Sequence, residues 1–295
     1  MIGLELEESR AIAVRVDDGG AVEARAVVAA EGDLASAAKR AVDGVAGGQD
    51  PRDLGVAAAA PDAPVMAAAI SALTSRVGGT IAESGVSPSG TAAAVAEAWV
   101  GAARGVHDVV YFACGNHTIG GMVRGGAAVT GARGRAASVA WLALNPVERE
   151  DYRKVGCLEA EVAASGIVRR LVWRIKAGDR SRVLDAVNGD FAAITVQHVL
   201  DAARERDGVS ISVIRDTAKY LGMAAANLVV VSDPEMLVLG GIMASAADLL
   251  LEAVRAEIGR RLPKPTLDAM KIQTAVLGDD AAAIGAARLA SAALR

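Results

Sequence analysis

A β-meander punctuated by glycine turns occurs twice in this chain, near residue 2 and again near residue 109. In the first, residues 2–6, 11–16 and 21–29 read as strands, and Asp17-Asp18-Gly19-Gly20 is a strong hairpin turn between the second and third. In the second, Val109–Ala113 is a strand and Gly115-Asn116-His117-Thr118-Ile119-Gly120-Gly121 is a turn. Met122–Arg124 and Ala127–Val129 then pair about Gly125-Gly126. Each meander leads into alternating helical and strand patterns, which predicts layered α/β structure in two related halves. A chain of 295 residues suffices for one large domain or two medium ones.

Between these landmarks the pattern is mostly helical. Asp33 is placed to cap a helix over Leu34–Val45. Leu54–Ala60 is a short buried strand, Met66–Val77 a helix and Thr80–Glu83 a short strand. A helix runs from Thr91 to about Ala103 after Ser87-Pro88-Ser89-Gly90. Residues 131–156 read as irregular, and helices are expected over 158–175, 179–187, 190–205 and 210–230. Met236–Leu239 is a strand entering Gly240-Gly241 and a helix over 245–260. Ile272–Val276 is the last strand, and Asp279–Leu294 a terminal helix.

Composition narrows the function classes. The hydrophobic content is 53% but aromatics are only 3%, so helices and strands must pack through small side chains. A net charge of −4 argues against a nucleic-acid partner, because backbone recognition needs a basic footprint. The short basic clusters at Arg133 and Arg135, and at Arg169 and Arg170, read as solvated faces. Two cysteines, Cys114 and Cys157, are too few for a disulfide framework and are expected to be reduced. There is no signal-peptide pattern and no apolar run of about 18 residues, so a cytoplasmic chain without a membrane span is expected.

Three stretches carry a family resemblance: "NLVVVSDPEMLVLGGIM" from Asn227 to Met243, "LGDDAAAIGAARL" from Leu277 to Leu289, and "GCLEAEVAASG" from Gly156 to Gly166. "AAAVAEAWVGAARG", from Ala92 to Gly105, and Ile119-Gly120-Gly121 add weaker support. In this order they resemble the ROK (repressor, open reading frame, kinase) family of sugar kinases. The resemblance implies an α/β, two-lobed actin/hexokinase/Hsp70-like (ribonuclease H-like) fold. Residues 1–104 with 276–295 would form a small lobe and 105–275 a large one. It also implies a homodimer, with a sugar and ATP bound between the lobes.

The family's chemical positions transfer unevenly onto this sequence. The base, an aspartate in an Asn-Asp-Ala-Asn run, falls on Ser89, in what also reads as a plain helix-entry turn. The first phosphate turn, Asp-x-Gly-Gly-Thr, falls on Glu5, Leu6, Glu7, Glu8 and Ser9. Glu5 keeps a carboxylate able to hold Mg²⁺ through water, while Glu7 and Glu8 bring charge of the wrong sign. The second phosphate turn falls on Gly115–Gly121, where Asn116 is a donor and His117 reads either as a turn histidine or as a ligand-facing one. Ser138 stands for a sugar-binding glutamate and Trp141 for a histidine, and Trp141 either stacks on a ligand or fills space. Glu159 matches a sugar-hydroxyl ligand, and Gly240 and Gly241 match the adenosine-side turn. The family's zinc cysteines fall on Glu150, Tyr152 and Cys157, which with Trp141 leave one thiolate of four ligands, so no structural zinc is expected.

The expectation from these substitutions is a degenerate family member: a pseudokinase serving as a ligand- or protein-binding module, or running an altered activity, with no cofactor. The alternative is an active ATP-dependent sugar kinase acting on a hexose or amino sugar with Mg–ATP, for which Asp62 is a further candidate carboxylate. A repressor reading is disfavoured because the first strand begins at residue 2, which leaves no room for a preceding DNA-binding domain.

Overall fold

The computed structural model describes residues 1–47, 54–60, 64–74 and 86–293; the expected Thr80–Glu83 strand and Asp62 lie outside them. The chain divides into two compact units. One comprises Met1–Tyr111, Gly120–Ala137 and Ala275–Arg295, the other Phe112–Ile119 and Ser138–Thr274.

The first unit is built on a five-stranded sheet. Its strands are β1 (Ile2–Leu6), β2 (Arg10–Val16), β3 (Val22–Ala29), β4 (Leu54–Ala58) and β5 (Val86–Pro88), in the order β3-β2-β1-β4-β5. The first three form the expected antiparallel meander, while β4 and β5 run parallel to β1. At the second hairpin, Gly20 N–H donates to the Asp17 carbonyl at 3.1 Å and Ala21 N–H to the Asp17 carboxylate at 2.8 Å.

The pleat sorts the side chains of β1 onto two layers. Ile2, Leu4 and Leu6 join Leu54, Val56 and Ala58 of β4 in one core with α1 (Leu34–Ala46) and α2 (Pro64–Thr74). Asp33 caps α1 as expected, its carboxylate accepting the Ser36 N–H at 3.0 Å. Gly3, Glu5, Gly55 and Ala57 point the other way, toward α3 (Ser89–Trp99) and the terminal helix Ala281–Ala293. That helix lies directly on the sheet. A Cβ at Gly3 would collide with the Ala283 carbonyl, and one at Gly55 with the Ala286 carbonyl. The alanine-rich composition therefore has a specific use here, because backbone-to-sheet contact tolerates nothing larger.

The second sheet has the order β10-β9-β6-β7-β8, with β6 at Val109–Cys114, β7 at Thr118–Arg124, β8 at Ala127–Ala128, β9 at Met236–Gly241 and β10 at Lys271–Thr274. Thr118–Gly121 extends β7, so the expected seven-residue turn shrinks to Gly115–His117, closed by Gly115 N–H donating to the His117 carbonyl at 2.9 Å.

The helices of the second unit are α4 (Glu150–Val155), α5 (Cys157–Val162), α6 (Ala164–Lys176), α7 (Arg182–Ala186), α8 (Val196–Arg204), α9 (Gly208–Ser232), α10 (Ile242–Ser245), α11 (Ala247–Gly259) and α12 (Lys264–Ala269). Residues 131–156 are less irregular than expected, since they contain α4 and a 3₁₀ turn at Val139–Trp141. The single helix expected over 158–175 is instead α5 and α6, broken where Ala163 adopts ψ 161°. The break has a visible cause: Ala164 N–H donates to the Gly115 carbonyl at 2.9 Å, tying the helix junction to the β6–β7 turn. The 25-residue α9, capped by Asp207, packs against α11. No helix among the described residues is long and apolar enough to cross a membrane.

Gly3→Ala is expected to cost about 1–3 kcal/mol by overpacking against the terminal helix, read as a lower urea midpoint. Gly259→Ala, at the end of α11 where no atom lies within 4 Å of the added methyl, is expected to leave the midpoint unchanged or slightly raised.

Candidate functional site

Chemistry-bearing side chains gather in each unit. In the first they collect at the carboxyl edge of the parallel strands β1, β4 and β5, the edge where open α/β sheets bind ligands. Glu5 is the next-to-last residue of β1 and Ser89 follows β5 directly as the first residue of α3. The neighbouring Gly90 packs against the backbone of Gly120 and Gly121, which holds the entry to α3 in place.

Glu5 is 6% exposed and Ser89 fully buried. Burial pushes the Glu5 carboxyl up to about 7. The Ser89 hydroxyl and Arg10 pull it down, and Glu7 and Asp279 push it further up. The Ser89 oxygen forms no close hydrogen bond among the described residues, yet it stands near enough to Glu5 to lower the pKa of that group. Tyr111, also buried, feels the Glu5 charge, and its own pKa is raised chiefly by desolvation. Holding a hydrated Mg²⁺ requires an open, ionised carboxylate. Burial raises the cost of ionising Glu5 for such a role.

The turn after β1 is not the bare anionic loop that its sequence suggests. Arg10 donates from Nε and Nη2 to the two carboxylate oxygens of Glu7 at 3.0 and 2.8 Å, and from Nη1 to Asp279 at 2.8 Å. The hydrogen bond to Glu7 raises the Arg10 pKa against the opposing effect of burial, helped by the bond to Asp279 and by the two negative charges. Glu8 is exposed. The repulsion expected between this turn and a triphosphate counted Glu7 without its counter-ion. Glu7 and Arg10 are only three residues apart, so the pairing was available to sequence reasoning as a cross-hairpin charge pair.

In the second unit, Glu159 of α5 faces the short β6–β7 turn. One carboxylate oxygen accepts the Thr118 N–H at 2.9 Å, and the other lies 3.2 Å from His117 Nδ1. The 3₁₀ turn between Ser138 and Trp141 packs on α5, and Gly156 fits against the Ala140 carbonyl and the Trp141 N–H. His117, Glu159 and the Ser138–Trp141 turn are thus neighbouring features of one unit. Asn116 and Ser138 are exposed, and Trp141 is 58% exposed, so its ring is not buried as filler. Gly240 is buried at the end of β9. Gly241, at φ 61°, meets the Cys114 backbone so closely that no side chain fits.

The positions that the resemblance assigns to zinc ligands carry different chemistry. Tyr152 and Cys157 are buried with Ala160 in a small cluster. The Tyr152 hydroxyl donates to the buried Glu161 at 2.5 Å, and Arg149 Nη1 reaches the same oxygen at 3.0 Å. Arg149 stacks over Tyr152 and Trp173, and Arg169 over Trp173, at about 5 Å. Sequence reasoning did not anticipate this network, because its members come from three helices and the loop before them.

With this geometry established, comparison with known proteins is decisive for the family. Residues 85–293 match the ROK family, and the chain belongs to it. The glucokinase of Halalkalibacterium halodurans is 31% identical over 196 residues, covering 65% of this chain and 59% of the relative. The xylose repressor of Caldicellulosiruptor bescii is 30% identical over 200 residues, covering 66% of this chain and 48% of the relative. The chain thus spans about three fifths of the first and half of the second.

Among solved structures, a ROK glucokinase from Streptomyces griseus in complex with glucose and AMPPNP aligns over 99% of both chains, with TM-score 0.82 and 25% identity. A ROK hexokinase from Thermus thermophilus aligns over 100% of this chain and 99% of that one, with TM-score 0.71 and 25% identity. The mixed α/β, two-sheet fold is the actin/hexokinase-like ATPase fold of these enzymes. The pseudokinase expectation is corrected by the same findings, which favour an active sugar kinase.

The raised Glu5 pKa makes a signed prediction. Its folded value lies above the unfolded one, so its contribution to stability is full below about 4.5 and is lost as pH rises through about 7. Urea titrations of Glu5→Gln against the parent protein should show a difference that changes by about 3 kcal/mol across that window. A pH-independent difference would contradict the buried-acid assignment.

Proposed function

We propose that this protein is an ATP-dependent sugar kinase, transferring the γ-phosphoryl group of Mg–ATP to a hydroxyl of a hexose or amino sugar. The observation that carries the reading is the end-to-end likeness to a glucokinase described with glucose and an ATP analogue, together with the identity to a curated glucokinase. In this reading the second unit supplies the sugar contacts. Glu159 is the principal hydroxyl acceptor, oriented by the Thr118 N–H and by His117, while Asn116, Ser138 and Trp141 flank it. The backbone of Gly240 and Gly241 lies on the nucleotide side. Catalysis is chiefly positioning and charge stabilisation, because phosphoryl transfer asks little covalent chemistry of the protein. A cytoplasmic homodimer is the setting proposed with this activity.

The test is ADP release from Mg–ATP across a panel of hexoses and amino sugars. Sugar-dependent ADP formation is expected, and its absence with every sugar would sink the reading. In Glu159→Gln the KM for the sugar should rise about 10–100-fold, as for loss of a charged hydrogen bond, with the KM for Mg–ATP nearly unchanged.

A further inference from the structure

Glu159 sits on α5, a helix of six residues, and so short a segment takes its pose from what grips it rather than from its own turns. The side toward the β6–β7 turn is held by the Thr118 N–H and His117. Residues two apart on a helix do not share a face, so Glu161 points away from that turn and into the cluster behind α5.

There one Glu161 oxygen accepts the Tyr152 hydroxyl at 2.5 Å and Arg149 Nη1 at 3.0 Å, while Arg170 Nε lies 3.9 Å from the other. Asn145 Nδ2 donates to the Tyr152 oxygen at 3.1 Å. Arg169 Nη2 donates to the Ala160 carbonyl at 2.6 Å. Its Nη1 reaches Asp151, which Arg149 Nη2 also binds at 3.0 Å. The two residues that follow Glu159 are therefore tied to arginines that stack on Trp173.

A zinc ion does not fit this place. Of the positions that the resemblance gives to its ligands, Trp141 offers no acceptor, and Glu150 is exposed and paired with Lys154 at 2.7 Å. The Tyr152 hydroxyl is spent on Glu161, and only Cys157 is a thiol. Among the described residues no three His, Cys, Asp or Glu side chains are grouped to hold a metal ion.

We propose that the Arg149–Tyr152–Glu161 cluster, braced by Asp151, Arg169 and Trp173, takes the place of that metal and positions Glu159 for the sugar. This rests on the kinase reading above. Ionic and ring contacts gather α4, α5 and α6 as a closed metal site would. The Glu161 carboxylate, though buried, is not stranded, because a hydroxyl and a guanidinium both meet it. Tyr152 and Glu161 are positioning residues, acting on the sugar through Glu159.

The experiment pairs sugar kinetics with two readouts that need no turnover. Tyr152→Phe keeps the ring and removes the hydroxyl. It should raise the KM for the sugar roughly 10-fold, with the KM for Mg–ATP unchanged. Made in the Glu159→Gln background it should change the sugar KM little further, because residues that act through one another are not additive. Arg149→Lys, which keeps the charge but loses the fork and the stacking, should act in the same direction more weakly. In nitrogen-15-labelled protein the Thr118 amide signal, which reports the hydrogen bond to Glu159, should shift in both variants. Protein produced with added zinc and then dialysed should hold far less than one zinc per chain, and a chelator should leave the Thr118 signal in place. An unchanged sugar KM in both variants, or a full Tyr152→Phe effect in the Glu159→Gln background, overturns the positioning role. So does a lowered urea midpoint with the Thr118 signal unmoved, which would make the cluster structural only. One zinc per chain, or a Thr118 signal that moves with the chelator, overturns the replacement of the metal. A parent protein inactive with every sugar sinks the kinase reading, and the Thr118 and zinc readouts then decide by themselves whether the cluster holds α5 in the metal's place.

Discussion

The first unit depends on the direct contact of the terminal helix with its sheet. Gly3 and Gly55 leave no side chain between the strands and the carbonyls of Ala283 and Ala286. Gly285 meets α3 at Ala92 in the same way. Alanines bury little area each, so such a layer gains stability mainly from the number of close contacts that it permits. Glu97 adds a polar fastening: one of its oxygens accepts the N–H groups of Val276 and Leu277 at 3.0 and 3.1 Å, where the chain approaches the terminal helix. This dry layer is also what lifts the Glu5 proton affinity. Glu5 projects from the same face of β1 as Gly3, so the packing that requires glycine two residues earlier deprives the carboxylate of water.

The second unit fastens its loops differently. Where the resemblance would place metal ligands, Arg149 bridges Glu161 and Asp151 while stacking on Tyr152 and Trp173, and Arg169 joins Asp151 and Trp173. Removing one member of such a network would strand a buried charge at Glu161, so its parts are energetically coupled. The network gathers α4, α5 and α6 beside the Ser138–Trp141 turn, and α5 carries Glu159. The residues proposed to face the sugar are thus oriented from behind by ion pairs and ring contacts.

Most elements were legible from periodicity, turn residues and capping. The meander, the Asp33 cap, α9 and the strand before Gly240-Gly241 all follow from local chemistry. The misreadings have physical causes. The helix over 158–175 breaks at Ala163 because a backbone donor is taken by Gly115, more than forty residues earlier in the chain. The 115–121 turn shortens because Thr118 donates its N–H to Glu159 as β7 begins. The candidate site was legible residue by residue through resemblance, but its electrostatics were not. Glu7 was read as a bare charge although Arg10 neutralises it, and the burial of Glu5 carries no mark in the local sequence.

What the sequence alone determined was the order of elements, the small-residue packing and the family, since these rest on local pattern and on motifs readable in one dimension. Tertiary structure decided the burial of Glu5, the pairing of Glu7, the partnership of His117 with Glu159 and the ion-pair network around Glu161. Each of these depends on which groups are brought together and how much water is left between them. Charge and hydrogen-bonding capacity are written in a residue type, but their strength is set by burial and by neighbours that only folding supplies.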